Sequence, residues 1–212
     1  MLSMVGFGGK MAAGKTSAAI ALVEELNFRK IALADEVKRV GNMVADWIPK
    51  IFDERWAQGK PLGMKIDWHS VLREVSVEMK DKSTPAGRAW LQFIGTDCMR
   101  SVLPDIWIQA LLRNIEGSPL VVVDDVRFIN EASSLRVKGF KVARIETADE
   151  VRLERIGRMY PEYDSGHFNH SSERQIEDYG GWDAVFDGGL PLEEFQKQIV
   201  RWVQDNEQEA DV

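Results

Sequence analysis

The chain has 212 residues, room at the usual domain size for one domain with insertions, the default, or at most two small ones. Its 44% apolar and 29% charged residues are ordinary for a globular protein and exclude disorder for the bulk of it. With 27 basic against 34 acidic residues, a net charge of −7, there is no global basic field to attract polyanions. A nucleotide contact would need a local positive cleft, and stable nucleic-acid binding is not expected.

A single cysteine, Cys98, cannot make an internal disulfide or a cysteine-rich zinc site, and no signal segment opens the chain. The expectation is a reducing, cytoplasmic compartment. No apolar run approaches the roughly 18 to 20 residues that cross a bilayer, so no membrane is expected as a partner.

Residues 3–8 read as a buried strand and residues 15–26 as a helix, with Ala19, Leu22, Val23 and Leu26 on one face. Between them lies Gly9-Lys10-Met11-Ala12-Ala13-Gly14-Lys15-Thr16, which satisfies the P-loop pattern in its required strand-to-helix context. Glycines let successive backbone N–H groups curl around phosphate oxygens, and the helix start adds its positive dipole end. Gly9, Ala12, Ala13, Gly14, Lys15, Thr16 and Ser17 are therefore the candidate nucleotide cradle. Lys15 would reach the β/γ-phosphates and Thr16 would ligate Mg²⁺. A strand over 30–34 and a helix over 35–47 (Val37, Val40, Val44, Trp47) follow.

A long insertion comes next. In it the run from Arg88 to Arg100 places Arg88, Gln92 and Asp97 or Arg100 at near-helical spacings, with Trp90, Leu91, Phe93 and Ile94 for packing. Arginine forks suit a phosphate monoester, and Gln92 can pair with a base edge; an amphipathic helix with solvated charges would read the same way. Residues 104–115 read as a helix with Pro104 at its first position. Residues 120–124, rich in valine, read as a strand ending in Asp124 and Asp125, with Arg127 two residues on. A carboxylate there can hold Mg²⁺ directly or through water, and Arg127 projects into the same crevice. Asp124 is favoured for the metal shell, Asp125 being the alternative.

A fourth strand is expected over 141–145, a weaker fifth over 183–187, and a helix over 192–203 (Leu192, Phe195, Ile199, Trp202), before an acidic tail over 205–212 that should fray. Strands alternating with helices imply a parallel sheet covered on both faces, hence an α/β fold. Between the fourth and fifth strands Arg152, Arg155 and Arg158 recur every three residues. They are either solvated surface or mobile cations of a lid over a phosphoryl-transfer site, Arg152 and Arg155 being the catalytic candidates. His167 and His170 lack a cysteine or a third histidine nearby for zinc, and His170-Ser171-Ser172-Glu173 instead reads as a helix start capped by Ser172.

Together, the P-loop, Leu91-Gln92-x-x-Gly95-Thr96-Asp97-x-x-Arg100, Asp124-Asp125-Val126-Arg127-Phe128-x-Asn130-Glu131 and His170-x-Ser172-Glu173 resemble the bacteriophage-type deoxynucleoside monophosphate kinases. The resemblance implies a single three-layer P-loop NTPase domain with a five-stranded parallel sheet. Its core would be 1–35, 106–150 and 176–212, its acceptor-binding helical insertion 36–105 and its lid 151–175. It implies ATP and Mg²⁺ as cofactors, with Lys15 and Thr16 on the ATP phosphates and metal. Asp35, Arg88, Gln92, Asp97, Arg100 and Arg127 would serve a deoxynucleoside monophosphate acceptor. A homodimer is compatible with it, and a phage-encoded protein would work in the host cytoplasm. Two departures stand out: Ile129 and Ser171 occupy positions where the family often has proline.

Three rivals use the same scaffold. A GTPase switch would carry an Asn-Lys-x-Asp guanine-reading sequence, which is absent. A kinase acting on a hydroxyl of a modified base in DNA would need a positive groove and a general base. A non-catalytic nucleotide-binding module would not need Lys15, Thr16, Asp124 and the arginines in one chain.

Overall fold

A computed structural model of the chain describes residues 4–45, 90, 91, 93–118, 120–159 and 175–208. The chain divides into two compact units, Met1–Leu33 with Ile108–Val212, and Ala34–Trp107. Among the described residues the first holds five strands: β1 (Met4–Gly8), β2 (Arg29–Ile31), β3 (Val121–Val126), β4 (Lys141–Glu146) and β5 (Ala184–Asp187). All neighbours pair in parallel, in the order β2-β3-β1-β4-β5.

The alternation of side chains along β1 explains the layers, because successive residues point to opposite faces. Val5 and Phe7 face one way, into a core with Ala18, Ala19 and Leu22 of α1 (Lys15–Leu26) and with Phe195, Ile199 and Val203 of the C-terminal helix (Leu192–Gln208). Gly6 faces the other way, where an added Cβ would come within 3.2 Å of Val142 and 3.5 Å of Leu135. Leu135 belongs to the helix Ile129–Val137, so the sheet is covered on both faces and the unit has three layers. The chain leaves β1 toward β2 and leaves β3 toward β4 on the other side of β1. That reversal opens a crevice at the carboxyl ends of β1 and β3, where ligands bind in sheets of this kind.

Among the described residues, taken in chain order, the α-helices are α1, α2 (Leu33–Ala45), α3 (Met99–Val102), α4 (Ile106–Asn114), α5 (Ile129–Val137), α6 (Asp149–Met159) and α7 (Leu192–Gln208). In the second unit a π-helical run, Phe93–Cys98, leads into α3. It is held from within that unit by the Trp107 indole N–H on the Gly95 carbonyl, 2.8 Å, while the Trp90 indole donates to Gly41 at 3.2 Å. Among the described residues no helix is long and apolar enough to cross a membrane.

Several boundaries differ from the sequence expectation. The second strand ends at Ile31, because Leu33 already opens α2. Pro104 lies in a turn closed by Ile106 N–H on Leu103 O, 3.1 Å, and α4 starts at Ile106. The third strand runs on to Val126, which pairs with Gly8 across an irregularity. On α7 the inward stripe is Phe195, Ile199 and Val203, and Leu192, expected on it, is 59% exposed because it sits at the first turn, ahead of the packed stretch.

Candidate active site

The P-loop is built by two backbone requirements and finished by tertiary hydrogen bonds. Gly9 has φ of 137° and Gly14 of 114°, conformations that L side chains rarely adopt. A Cβ on Gly9 would in addition meet the carbonyl oxygen of Ile145. Gly14 is the N-cap of α1 and offers it no side-chain cap. Helix geometry leaves first-turn amides without intrahelical acceptors and puts partial positive charge there, so this end suits an anion.

Each backbone carbonyl from Gly9 to Ala13 accepts a side-chain hydrogen bond. Lys15 Nζ donates to Gly9 O at 2.7 Å and to Lys10 O at 2.6 Å. Arg152 Nε donates to Met11 O at 2.9 Å, Arg155 to Ala12 O at 3.2 Å, and Thr147 Oγ1 to Ala13 O at 2.8 Å. Carbonyl dipoles would repel a phosphate, so donors on them both fix the loop and offset that repulsion. Arg155 also donates to Gly188 O at 2.8 Å, joining the loop to the turn after β5. Lys10 is held by an ion pair with Glu177 and lies 3.8 Å from Asp149, which also pairs with Arg152.

Asp124 stands opposite Thr16. Its Oδ2 accepts from Thr16 Oγ1 and from Lys30 Nζ, each at 2.9 Å, and the carboxylate is 6% exposed. Asp125 is engaged elsewhere, its Oδ1 accepting the Leu33 N–H at 2.8 Å and so capping α2. Of the two carboxylates it is therefore Asp124 that the fold sets beside the hydroxyl. Arg127 lies two residues beyond Asp125, and its backbone N–H donates to Glu131 Oε2 at 2.7 Å; the Phe128 N–H donates to the same oxygen at 3.0 Å.

Beside the loop a cleft of about 760 Å³ opens at the carboxyl ends of β4 and β5, lined by Lys10, Ala13, Arg144, Thr147 and Phe186 among others. This is within the usual range for a small-molecule site.

The fold thus brings together Gly9, Ala12, Ala13, Gly14, Lys15, Thr16, Ser17, Asp124, Arg152 and Arg155. Arg152 is 7% exposed and, like Arg155, binds loop carbonyls from α6; Arg158 is exposed and paired with Glu154. Asp35, Asp97 and Arg100 belong to the second unit. Within it Asp35 pairs with Lys38 at 3.0 Å in the first turn of α2, and Asp97 is exposed. Arg88, Gln92, His167, His170, Ser172 and Glu173 lie outside the described residues. Sequence reading assigned no role to Lys30, Thr147 or Glu131. Only Glu131 left a trace, as an acid three residues into a helix.

A resident Mg²⁺ would find hard oxygen donors in Thr16 and Asp124. Among the described residues no group of three or more His, Cys, Asp or Glu could form an all-protein cage. The oxygens of Thr16 and Asp124 fit Mg²⁺, which is bound through one or two protein oxygens, substrate phosphates and water.

No protein-family model matches the chain. Over 222 aligned residues, 94% of this chain and 95% of the relative, it is 24% identical to a protein of Acanthamoeba polyphaga mimivirus described as "Putative deoxynucleotide monophosphate kinase". Solved structures of the same fold include dephospho-CoA kinase from Campylobacter jejuni (TM-score 0.51, 19% identity, 98% of both chains). A gluconokinase from Sinorhizobium meliloti 1021 also matches (0.52, 15%, 98% of this chain and 97% of that one), as does shikimate kinase from Aquifex aeolicus (0.50, 17%, 97% and 98%). Three differently named kinases share the fold, so fold alone does not choose the acceptor. Loop geometry and these likenesses agree on the fold: the chain has the P-loop α/β fold of these kinases, and over nearly its whole length it is similar to a viral protein described as a putative deoxynucleotide monophosphate kinase.

Proposed function

We propose that the protein transfers the γ-phosphoryl group of ATP to the 5′-phosphate of a deoxynucleoside monophosphate, giving the diphosphate and ADP. The observation that carries the phosphoryl-transfer part is the loop whose carbonyls are held by donors, wrapped on an uncapped helix start, with Asp124 against Thr16. The acceptor class rests on the motifs that run from Leu91 to Arg100 and from Asp124 to Glu131, and on the whole-length similarity to the viral relative.

An oxygen of the acceptor phosphate forms a bond to the γ-phosphorus while the bond from that phosphorus to the β–γ bridging oxygen breaks, and ADP leaves with the electron pair. The acceptor is already an anion, so no general base is needed. Catalysis is then positioning and charge neutralisation. Gly9 to Thr16 and Ser17 hold the ATP phosphates, Lys15 carries charge to the transferring group, and Thr16 with Asp124 holds Mg²⁺. When bound, Mg²⁺ neutralises the β- and γ-oxygens.

Arg152 and Arg155 act through the loop: their bonds to Met11 O and Ala12 O keep its N–H groups aimed at phosphate. The cleft beside β4 and β5 takes the donor nucleoside. We assign Arg127 to the acceptor phosphate, with Asp35, Arg88, Gln92, Asp97 and Arg100 as further acceptor residues.

The test is ADP release with Mg-ATP against a panel of deoxy- and ribonucleoside monophosphates, with a single-stranded DNA oligonucleotide included. Turnover with one or more free deoxynucleoside monophosphates is expected. Labelled phosphate appearing only in the oligonucleotide would hand the site to a DNA-directed kinase.

A further inference from the structure

Lys30 has no place in the phosphoryl-transfer scheme above, yet its ammonium is 2.9 Å from the same Asp124 oxygen that Thr16 binds. The two ends of this pair differ in setting: Asp124 is 6% exposed and Lys30 38%. Lys30 registers with Val122 in the β2–β3 ladder, so its side chain rises on the same face as Asp124, two residues further along β3. A buried carboxylate beside a polyphosphate is a liability, because it repels the ligand unless a cation stands between them. Mg²⁺ does that when it accompanies the nucleotide; Lys30 is already in place to do it.

We propose that Lys30 is a positioning residue of the metal site, a built-in counter-cation that neutralises Asp124 for metal-free nucleotide and shares the carboxylate when Mg²⁺ arrives. It therefore sets how much Mg²⁺ strengthens nucleotide binding. This deepens the kinase reading and rests on nucleotide binding at the P-loop. An ammonium can keep its bond to Asp124 Oδ2 while the other carboxylate oxygen turns to the metal or its water, so sharing needs no loss of the lysine contact.

Titration calorimetry of ADP, with Mg²⁺ and with EDTA, tests it without turnover. Lys30→Met should bind ADP roughly ten-fold more weakly than wild type in EDTA, the order expected for one charge lost near a phosphate at a protein surface. In Mg²⁺ the two should agree within about three-fold. The ratio of affinity with Mg²⁺ to affinity in EDTA then rises, and Lys30→Arg restores it. Removing the carboxylate as well should undo the loss: Lys30→Met combined with Asp124→Asn should bind ADP in EDTA within about two-fold of wild type, since no uncompensated charge then faces the phosphate.

Lys30→Gln keeps a donor to Asp124 without the charge; it should match Lys30→Met and replaces it if that variant fails to fold. An unchanged ratio, an equal loss in both conditions, no rescue by arginine, or an effect that persists without Asp124 would each overturn the inference. If wild type binds no ADP in either condition, the nucleotide reading itself falls and takes this inference with it.

Discussion

Glu131 offers the sharpest test of how the site is held together. It is 1% exposed, and one of its oxygens accepts the N–H groups of Arg127 and Phe128, at 2.7 and 3.0 Å. These two amides form the corner where β3 turns into α5, so the carboxylate fixes the backbone from which the Arg127 side chain leaves. A hydrogen bond to a charged acceptor contributes about 1.5 to 3 kcal/mol. Two that share one oxygen are not additive, and Glu131→Ala should cost about 2 to 4 kcal/mol. For a chain of this size that is a fall in Tm of about 6 to 12 °C at the middle of the range.

Two further variants separate pairing from packing. Glu131→Gln keeps a carbonyl acceptor and should lose only about 1 kcal/mol. Glu131→Met refills the volume but strands both N–H groups, so it should be as unstable as the alanine variant. Urea unfolding followed by circular dichroism gives all three values. A methionine variant as stable as wild type, or a glutamine variant as unstable as alanine, would refute the assignment of stability to these two bonds.

Lys15→Ala should lower kcat by on the order of 10² to 10³ while circular dichroism shows a folded protein; turnover within a factor of two of wild type would remove the P-loop from the mechanism. Arg127→Lys should weaken acceptor binding roughly ten- to a hundred-fold in calorimetry, because lysine cannot copy a two-bond guanidinium grip, and should leave ATP binding nearly unchanged. An equal loss for both ligands would place Arg127 on the donor side or in support of the strand end. Arg155→Ala removes the donors on Ala12 O and Gly188 O; ATP affinity should fall roughly ten-fold with acceptor affinity preserved. Equal ATP affinity would mean the loop holds its shape without this tie.

Much of the loop between β1 and α1 was legible in sequence because it is local. Gly9 and Gly14 are glycines for reasons of their own backbone angles, and Lys15 and Thr16 follow within one helical turn. β1 and β3 were legible too, as short buried runs between breakers, the mark of a parallel sheet covered on both faces, whereas β2, Arg29–Ile31, carries one buried residue and gives little such signal. The choices made by residues far apart in the chain were not legible. Whether Asp124 or Asp125 met Thr16 depended on the pleat of β3, and where β2 ended depended on Asp125, 92 positions from Leu33, capping the next helix. The arginines of residues 152–158 read alike at a three-residue spacing. Only packing separated Arg152 and Arg155, on loop carbonyls more than 140 positions away, from Arg158 in solvent. Lys30 and Thr147 carry no motif at all. A sequence states which groups can donate or accept, whereas the geometry that pairs them arises only when the β1–β3 crevice brings distant strand ends together.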